Sequence, residues 1–200
     1  MRHASRLLVP VILIAATVAP VVASGGNANF VLGGRTLTDD EFWEPNEDNT
    51  FIGATVSFGP RHWPISLSAG TYISFAQERV SIGSFSGDFT TAIAEFDFGV
   101  QKTWEIDTVR PYVGGGIASV GAAAELEGGG SNVDDDDQSF GAYVDFGVFW
   151  RLGSRFNIGI HTRAMFGTDV EFDFGGPLTA KGDADYLQVG LILGWGWPSE

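Results

Sequence analysis

Apolar and polar residues alternate along residues 138–167, with one interruption at 152–155. From Phe140 to Trp150 the even positions are apolar, whereas the odd positions hold glycine, aromatic residues and single charges. The alternation resumes at 156–166 after a short turn. A period of two indicates a strand with two unlike faces, and each strand is long enough to cross a bilayer, which takes about 9–11 tilted residues. The stretch therefore predicts a membrane-spanning hairpin.

Eight alternating segments follow the first 23 residues of the chain. They lie at residues 28–38, 50–59, 65–76, 88–102, 110–125, 138–151, 155–167 and 184–197. In the fifth segment both faces carry small residues, so the alternation does not decide which face points inward. The pattern predicts an all-β fold, an eight-stranded antiparallel up-and-down transmembrane β-barrel.

The connections between these segments alternate in length. Short turns at 60–64, 104–109 and 152–154 alternate with long polar loops at 39–49, 77–87, 126–137 and 168–183. Short turns at one end and long loops at the other are typical of bacterial outer-membrane barrels. An even strand number then places both termini at the short-turn, periplasmic end and the loops outside the cell. The loop at 126–137 is expected to lack regular structure throughout, because it is rich in glycine and aspartate.

Tryptophans and charges are sorted between the same two ends. Five tryptophans fall at the short-turn end and are predicted to form an interfacial girdle: Trp63, Trp104, Trp150, Trp195 and Trp197. The long loops and their flanks hold 19 of the 25 acidic residues, whereas the short-turn ends are mainly basic. Loop length, tryptophan position and charge therefore predict the same orientation.

The N-terminus reads as a secretory signal peptide. Arg2 and Arg6 precede an apolar run at 7–19, and small residues up to Ala23 predict cleavage after that residue. The predicted division is a signal at 1–23 and a barrel domain at 24–200.

Loss of the two arginines takes the net charge from −14 to −16. Such acidity argues against nucleic-acid binding, which needs a basic surface. The absence of cysteine excludes disulfides and thiolate metal sites.

Six ionisable residues have inward parity near the middle of the predicted barrel. They are Arg35, Glu95, Asp97, Asp145, His161 and Arg163. An uncompensated charge in a narrow, poorly hydrated interior is costly, so these groups are expected to pair and to close the lumen. Arg163 is expected to contact Asp145 or Glu95, with His161 and Tyr143 as neighbours.

Two other patterns are weighed against simpler interpretations. The sequence at 161–163 is similar to the His-x-Ser pair of barrel lipid A deacylases, but Thr162 replaces the serine and is predicted to face outwards. We therefore expect no catalytic residues and no cofactor.

The acidic run Asp134, Asp135, Asp136 and Asp137 is a candidate site for a divalent cation, since carboxylates are hard oxygen ligands. It lacks the spacing of a calcium loop, so a solvated acidic loop is the preferred interpretation.

The sequence "RPYVGGGIA" at 110–118 resembles the strand start common in OmpA/OmpX-type outer-membrane β-barrels. The eight segments and their loop pattern are similar to the same family. The resemblance implies a monomer in contact with outer-membrane lipid and lipopolysaccharide, assembled by the barrel-assembly machinery. The family's periplasmic peptidoglycan-binding domain is expected to be absent. Three residues, Pro198, Ser199 and Glu200, follow the aromatic Trp197, where the family usually ends.

The favoured function is a non-enzymatic outer-membrane protein of a Gram-negative bacterium, with acidic extracellular loops and an envelope-structural or surface-interaction role. An extracellular ligand or a divalent cation at the loops remains open. The first alternative is a small-solute channel, although eight strands leave an interior just wide enough for side chains. The others are a lipid A-modifying enzyme and a soluble, lipocalin-like barrel with its apolar face inward.

Overall fold

The computed structural model describes residues 25–43, 46–60, 62–82, 85–128, 131–173 and 179–197. The proposed signal peptide lies outside these residues. The elements are β1 (Gly25–Leu37), α1 (Asp40–Trp43), β2 (Asp48–Gly59), β3 (Ser66–Ile82), β4 (Phe85–Thr103), β5 (Val109–Gly128), β6 (Ser131–Leu152), β7 (Phe156–Phe166), β8 (Asp169–Asp173), β9 (Thr179–Asp183) and β10 (Tyr186–Trp197). No helix in the described ranges is long and apolar enough to cross a membrane.

Strands β1–β7 and β10 form a closed barrel in which every neighbouring pair is antiparallel. Each strand pairs with the strand next to it in the barrel order, and β1 pairs with β10 to close the sheet, with Leu32 opposite Leu191. Closure leaves no exposed sheet edge in the barrel wall. The predicted eight-stranded antiparallel barrel is confirmed.

The two faces of the wall follow the predicted alternation. On β10 Leu191 is 65% exposed, whereas its neighbour Ile192 is 1% exposed. The fifth strand, whose parity the sequence leaves open, turns Tyr112 and Ala118 inward and leaves Ile117 exposed. An apolar outer face around a filled interior is the arrangement of a barrel surrounded by lipid.

Two of the predicted long loops are instead continuations of strands. Strands β3 and β4 stay paired to Ile82 and Phe85, and β5 and β6 stay paired to Gly128 and Ser131. The expectation of an irregular loop at 126–137 is therefore wrong. Once the barrel holds two strands side by side, the loop-closure entropy has been lost already, and continued pairing satisfies the backbone groups. This constraint outweighs the low strand propensity of glycine and aspartate.

The other two long loops cover one end of the barrel. The loop after β1 contains α1, and the loop after β7 contains the β8–β9 hairpin. Trp43 of α1 is buried, and its Nε1 donates a hydrogen bond to the carbonyl oxygen of Asp183, 2.7 Å away. These two segments therefore close over the long-loop end.

An arginine on the outer face should be costly near the middle of the wall and cheap at its rim. Phe96 lies near the middle of the barrel-forming part of β4 and is exposed, so Phe96→Arg should lower the free energy of unfolding by about 2–4 kcal/mol. Val148→Arg makes the same test near the middle of the part of β6 that pairs with β7. Leu152→Arg, at the exposed short-turn end of β6, should cost only about 0–1 kcal/mol. Urea unfolding in lipid vesicles measures all three, and equal costs would contradict a lipid-facing wall.

Candidate functional site

Glu95 joins two arginines across the barrel interior. Its Oε2 lies 3.2 Å from Nη2 of Arg35, and its Oε1 accepts a hydrogen bond from Nη2 of Arg163. The three side chains come from β4, β1 and β7 and are almost completely buried. Hydrogen bonds between charged groups are stronger than neutral ones. This bridge therefore ties three separate strands together at one level of the lumen.

Further groups complete the coordination of the two arginines. Nη1 of Arg163 lies 3.1 Å from Oδ2 of Asp97. Nε of Arg163 donates to the hydroxyl of Tyr186 at 3.1 Å, and that hydroxyl donates to Glu95. Arg35 donates from Nε and Nη2 to Oε1 of Gln188, at 3.0 and 2.8 Å. The result is a continuous network of hydrogen bonds and ion pairs.

Tyrosine rings hold both guanidinium groups in place. The guanidinium carbon of Arg163 lies 3.6 Å from the ring centre of Tyr143, and that of Arg35 lies 3.7 Å from the ring centre of Tyr186. A cation over an aromatic face is attracted by the ring's negative face, more strongly where water is excluded. The rings therefore restrict each arginine to one position while adding favourable contact.

His161 lies below this cluster between two tyrosines. Its Nδ1 is 2.7 Å from the hydroxyl of Tyr112, and its Nε2 is 3.4 Å from the hydroxyl of Tyr72. Nε2 also lies 3.4 Å from Nε2 of Gln188, whose oxygen is directed to Arg35. An amide nitrogen can only donate, so Nε2 of His161 must accept and the proton sits on Nδ1. The geometry therefore requires a neutral imidazole.

The histidine and its neighbour Thr162 occupy opposite faces of β7. His161 is buried in the lumen, whereas Thr162 is half-buried on the outer side of the wall. Adjacent strand residues always point to opposite faces. The two side chains therefore cannot act together, and the serine position of a His-x-Ser pair, two residues after His161, holds Arg163.

Asp145 stands apart from the network. It is opposite Arg163 in the register of β6 and β7 and is 8% exposed. The guanidinium of Arg163 turns instead to Glu95 and Asp97. Among the residues that the structure describes, Oδ1 of Asp145 has no hydrogen-bond partner. Of the two partners expected for Arg163, the structure shows Glu95 and not Asp145.

Apolar layers fill the lumen on both sides of the charged cluster. Towards the long-loop end lies a layer that includes Leu37, Trp43, Ile93, Val120 and Met165. Towards the short-turn end lies a second layer: Val31, Phe51, Tyr72, Tyr112, Phe149 and Ile192. An enclosed cavity of about 20 Å³ lies beside Asp145, and an open vestibule of about 580 Å³ lies at the short-turn end. The lumen is thus closed in the middle and open at one mouth.

The remaining predicted sites are placed as follows. Trp63, Trp104, Trp150 and Trp195 are 39–52% exposed at the short-turn end, and Trp197 is half-buried and lines the vestibule. Asp135, Asp136 and Asp137 lie in β6, and Asp137 accepts hydrogen bonds from the backbone nitrogens of Gln138 and Glu171. The side chain of Asp134 is outside the described set.

The described carboxylates of the acidic run, Asp135 to Asp137, do not converge on one point. Successive strand residues alternate between faces, so four aspartates in a row cannot converge on one ion. Within the described ranges, no group of three or more histidine, cysteine, aspartate or glutamate side chains is arranged to hold a metal. The interpretation of a solvated acidic segment stays a prediction.

Tyr72, Tyr186 and Gln188 belong to the network but were not singled out from the sequence. All three have the inward parity that selected the charged residues. A search for every inward polar group, rather than for charges alone, would have found them.

A closed eight-stranded antiparallel wall, an apolar outer face and a filled polar interior define the fold class of eight-stranded outer-membrane β-barrels. Solved structures of that class match the chain. The outer membrane protein OprG from Pseudomonas aeruginosa is 12% identical, with a TM-score of 0.64 over 88% of this chain and 98% of that one. The attachment invasion locus protein Ail of Yersinia pestis, in complex with the heparin analogue sucrose octasulfate, is 9% identical. Its TM-score is 0.55, and the match covers 87% of this chain and 99% of that one. No protein-family model and no curated protein sequence matches the chain.

Removing Arg163 alone should be strongly destabilising. Arg163→Met leaves Glu95 and Asp97 short of a positive charge in a buried site, so we expect a loss of about 3–5 kcal/mol in the free energy of unfolding. The double change Arg35→Met with Glu95→Leu removes one charge of each sign and leaves the pair of Arg163 and Asp97. It should cost much less than Arg163→Met in the same urea titration. A larger loss of stability from the double change than from Arg163→Met would contradict a network governed by charge compensation.

Proposed function

We propose that the protein is a non-enzymatic integral protein of the outer membrane of a Gram-negative bacterium, with an envelope-structural or surface-interaction role. The short-turn end and both termini face the periplasm, and the extended acidic strands face the medium. The barrel is a monomer in contact with membrane lipid and lipopolysaccharide and is inserted by the barrel-assembly machinery. Its working surface is the long-loop end rather than the lumen.

The closed lumen is the observation that carries this proposal. The bridge of Arg35, Glu95 and Arg163 crosses the interior between two apolar layers. An eight-stranded barrel has an interior that side chains fill, unlike the wide aqueous channels of larger barrels. A blocked interior disfavours a solute channel and leaves the ends of the barrel for interaction with other molecules.

The strand extensions support the choice of the long-loop end. Pairing of β2 with β3 ends at Phe75, and pairing of β6 with β7 ends at Ala142. Strands β3–β6 continue beyond these points as a sheet of their own, which includes the acidic run of β6. A paired-strand, strongly acidic projection suits a partner of complementary charge at the cell surface. The structural neighbour whose name records attachment, Ail, shares the barrel fold, which is compatible with such a role.

Purified protein in planar lipid bilayers should give no steady conductance, because the charged bridge and two apolar layers block the lumen. Single-channel recording measures this, with a large barrel porin in the same bilayer as the positive control. Large, stable channels from the wild-type protein would overturn the closed-barrel role and favour the small-solute channel.

Cysteine labelling tests the proposed orientation, since the chain has no native cysteine. Asp136 is exposed on the β6 extension, and His62 is exposed in a short turn. Asp136→Cys should react with a membrane-impermeant maleimide on intact cells, whereas His62→Cys should react only after the outer membrane is permeabilised. The opposite pattern would show an inverted barrel, and labelling of both on intact cells would contradict membrane insertion.

A further inference from the structure

We propose that Asp145 binds a small monovalent cation, such as Na⁺, inside the barrel. The first observation is a charge imbalance in the middle of the lumen. Two arginines, Arg35 and Arg163, face three carboxylates there, those of Glu95, Asp97 and Asp145. The middle of the lumen thus carries one negative charge in excess. A buried charge without compensation is strongly unfavourable.

Neighbouring side chains do not supply the missing positive charge. His161 is neutral, because the amide of Gln188 donates towards its Nε2. Tyr72, Tyr112 and Tyr143 offer hydroxyl groups but no charge. Arg163 is already shared between Glu95 and Asp97. The excess charge is therefore located at Asp145.

The position of Asp145 fits a ligand site. A Cβ added to Gly114, which is opposite in the register, would lie 2.2 Å from Oδ1 of Asp145, so the carboxylate is packed directly over the glycine backbone. This close approach explains why a glycine occupies the position. The carboxylate also lies beside the enclosed cavity, which both Asp145 and Arg163 line.

The cavity has the size and chemistry for one small ion. Its volume is about 20 Å³, and a single water needs roughly 10–15 Å³ on the same measure. Its lining includes oxygen-bearing groups of Asp97, Asp145, Tyr112, Tyr143 and Gln101, together with His161 and Arg163. Oxygen ligands suit hard cations. A water molecule would satisfy hydrogen bonds but leave the negative charge. A monovalent cation satisfies both.

Gln101 lines both the enclosed cavity and the open vestibule. It therefore marks the route by which an ion enters from the short-turn end. The apolar layer and the covering segments at the other end provide no comparable polar route among the described residues.

The test is urea unfolding of the whole protein in lipid vesicles, at constant ionic strength, with Na⁺ replaced stepwise by choline. A ligand that binds only the folded state raises stability as its concentration rises above the dissociation constant. We expect the unfolding midpoint to rise with Na⁺ for the wild type and for Asp136→Asn, a control that removes an exposed acid. In Asp145→Asn the Na⁺ dependence should disappear, and the midpoint in choline should equal or exceed that of the wild type.

Three results would overturn the proposal. The first is a wild-type midpoint that is the same in Na⁺ and choline. The second is a Na⁺ dependence that persists in Asp145→Asn, which would locate the ion elsewhere. The third is a midpoint that responds to pH but not to Na⁺, which would show that Asp145 is neutralised by a proton. If Asp145→Asn fails to fold, a wild-type crystal structure decides: an ion beside Asp145, with oxygen contacts shorter than a water's hydrogen bonds, is expected, and a water there would refute the site.

Discussion

The bridge from Glu95 to Arg35 and Arg163 is the contact on which the rest of the barrel depends. It joins β1, β4 and β7, strands that are far apart in the chain, at one level of the interior. The bridge also specifies register, because a shift of β4 by one residue would turn Glu95 towards lipid and Phe96 into the lumen. A mispaired barrel would then carry uncompensated charges on both faces. The ion cluster thus disfavours a barrel in which one strand is shifted by one residue.

The strand number, the two faces and the inward set were predictable because lipid imposes a strict period of two. The partner of Arg163 could not be predicted in this way. Parity and height place Asp145 directly opposite Arg163, but they do not determine the direction of a long side chain. The ring of Tyr143 lies under the guanidinium and directs it to Glu95 and Asp97 instead. Packing of an aromatic ring in three dimensions leaves no signal in the alternation.

The strand extensions were missed for a different reason. The run of aspartates and glycines near 126–137 argues locally against a strand. Its pairing is a consequence of the barrel below, which brings Ala122 and Asp137 into register and lets the ladder continue to Gly128 and Ser131. Local composition carries no information about a partner strand that is already aligned. Sequence reasoning therefore located the loop end correctly but assigned the wrong structure to it.

The position of the charged cluster between two apolar layers decides how its charges behave. The layer containing Ile93 and Met165 lies on one side, and that containing Val31 and Ile192 lies on the other. Water is largely excluded between them, so each ion pair is strong and each unmatched charge is costly. The same exclusion makes the interior a poor pathway for solutes and a good structural core. Stability then resides in the lumen, and the ends of the barrel are free to differ in sequence without loss of the fold.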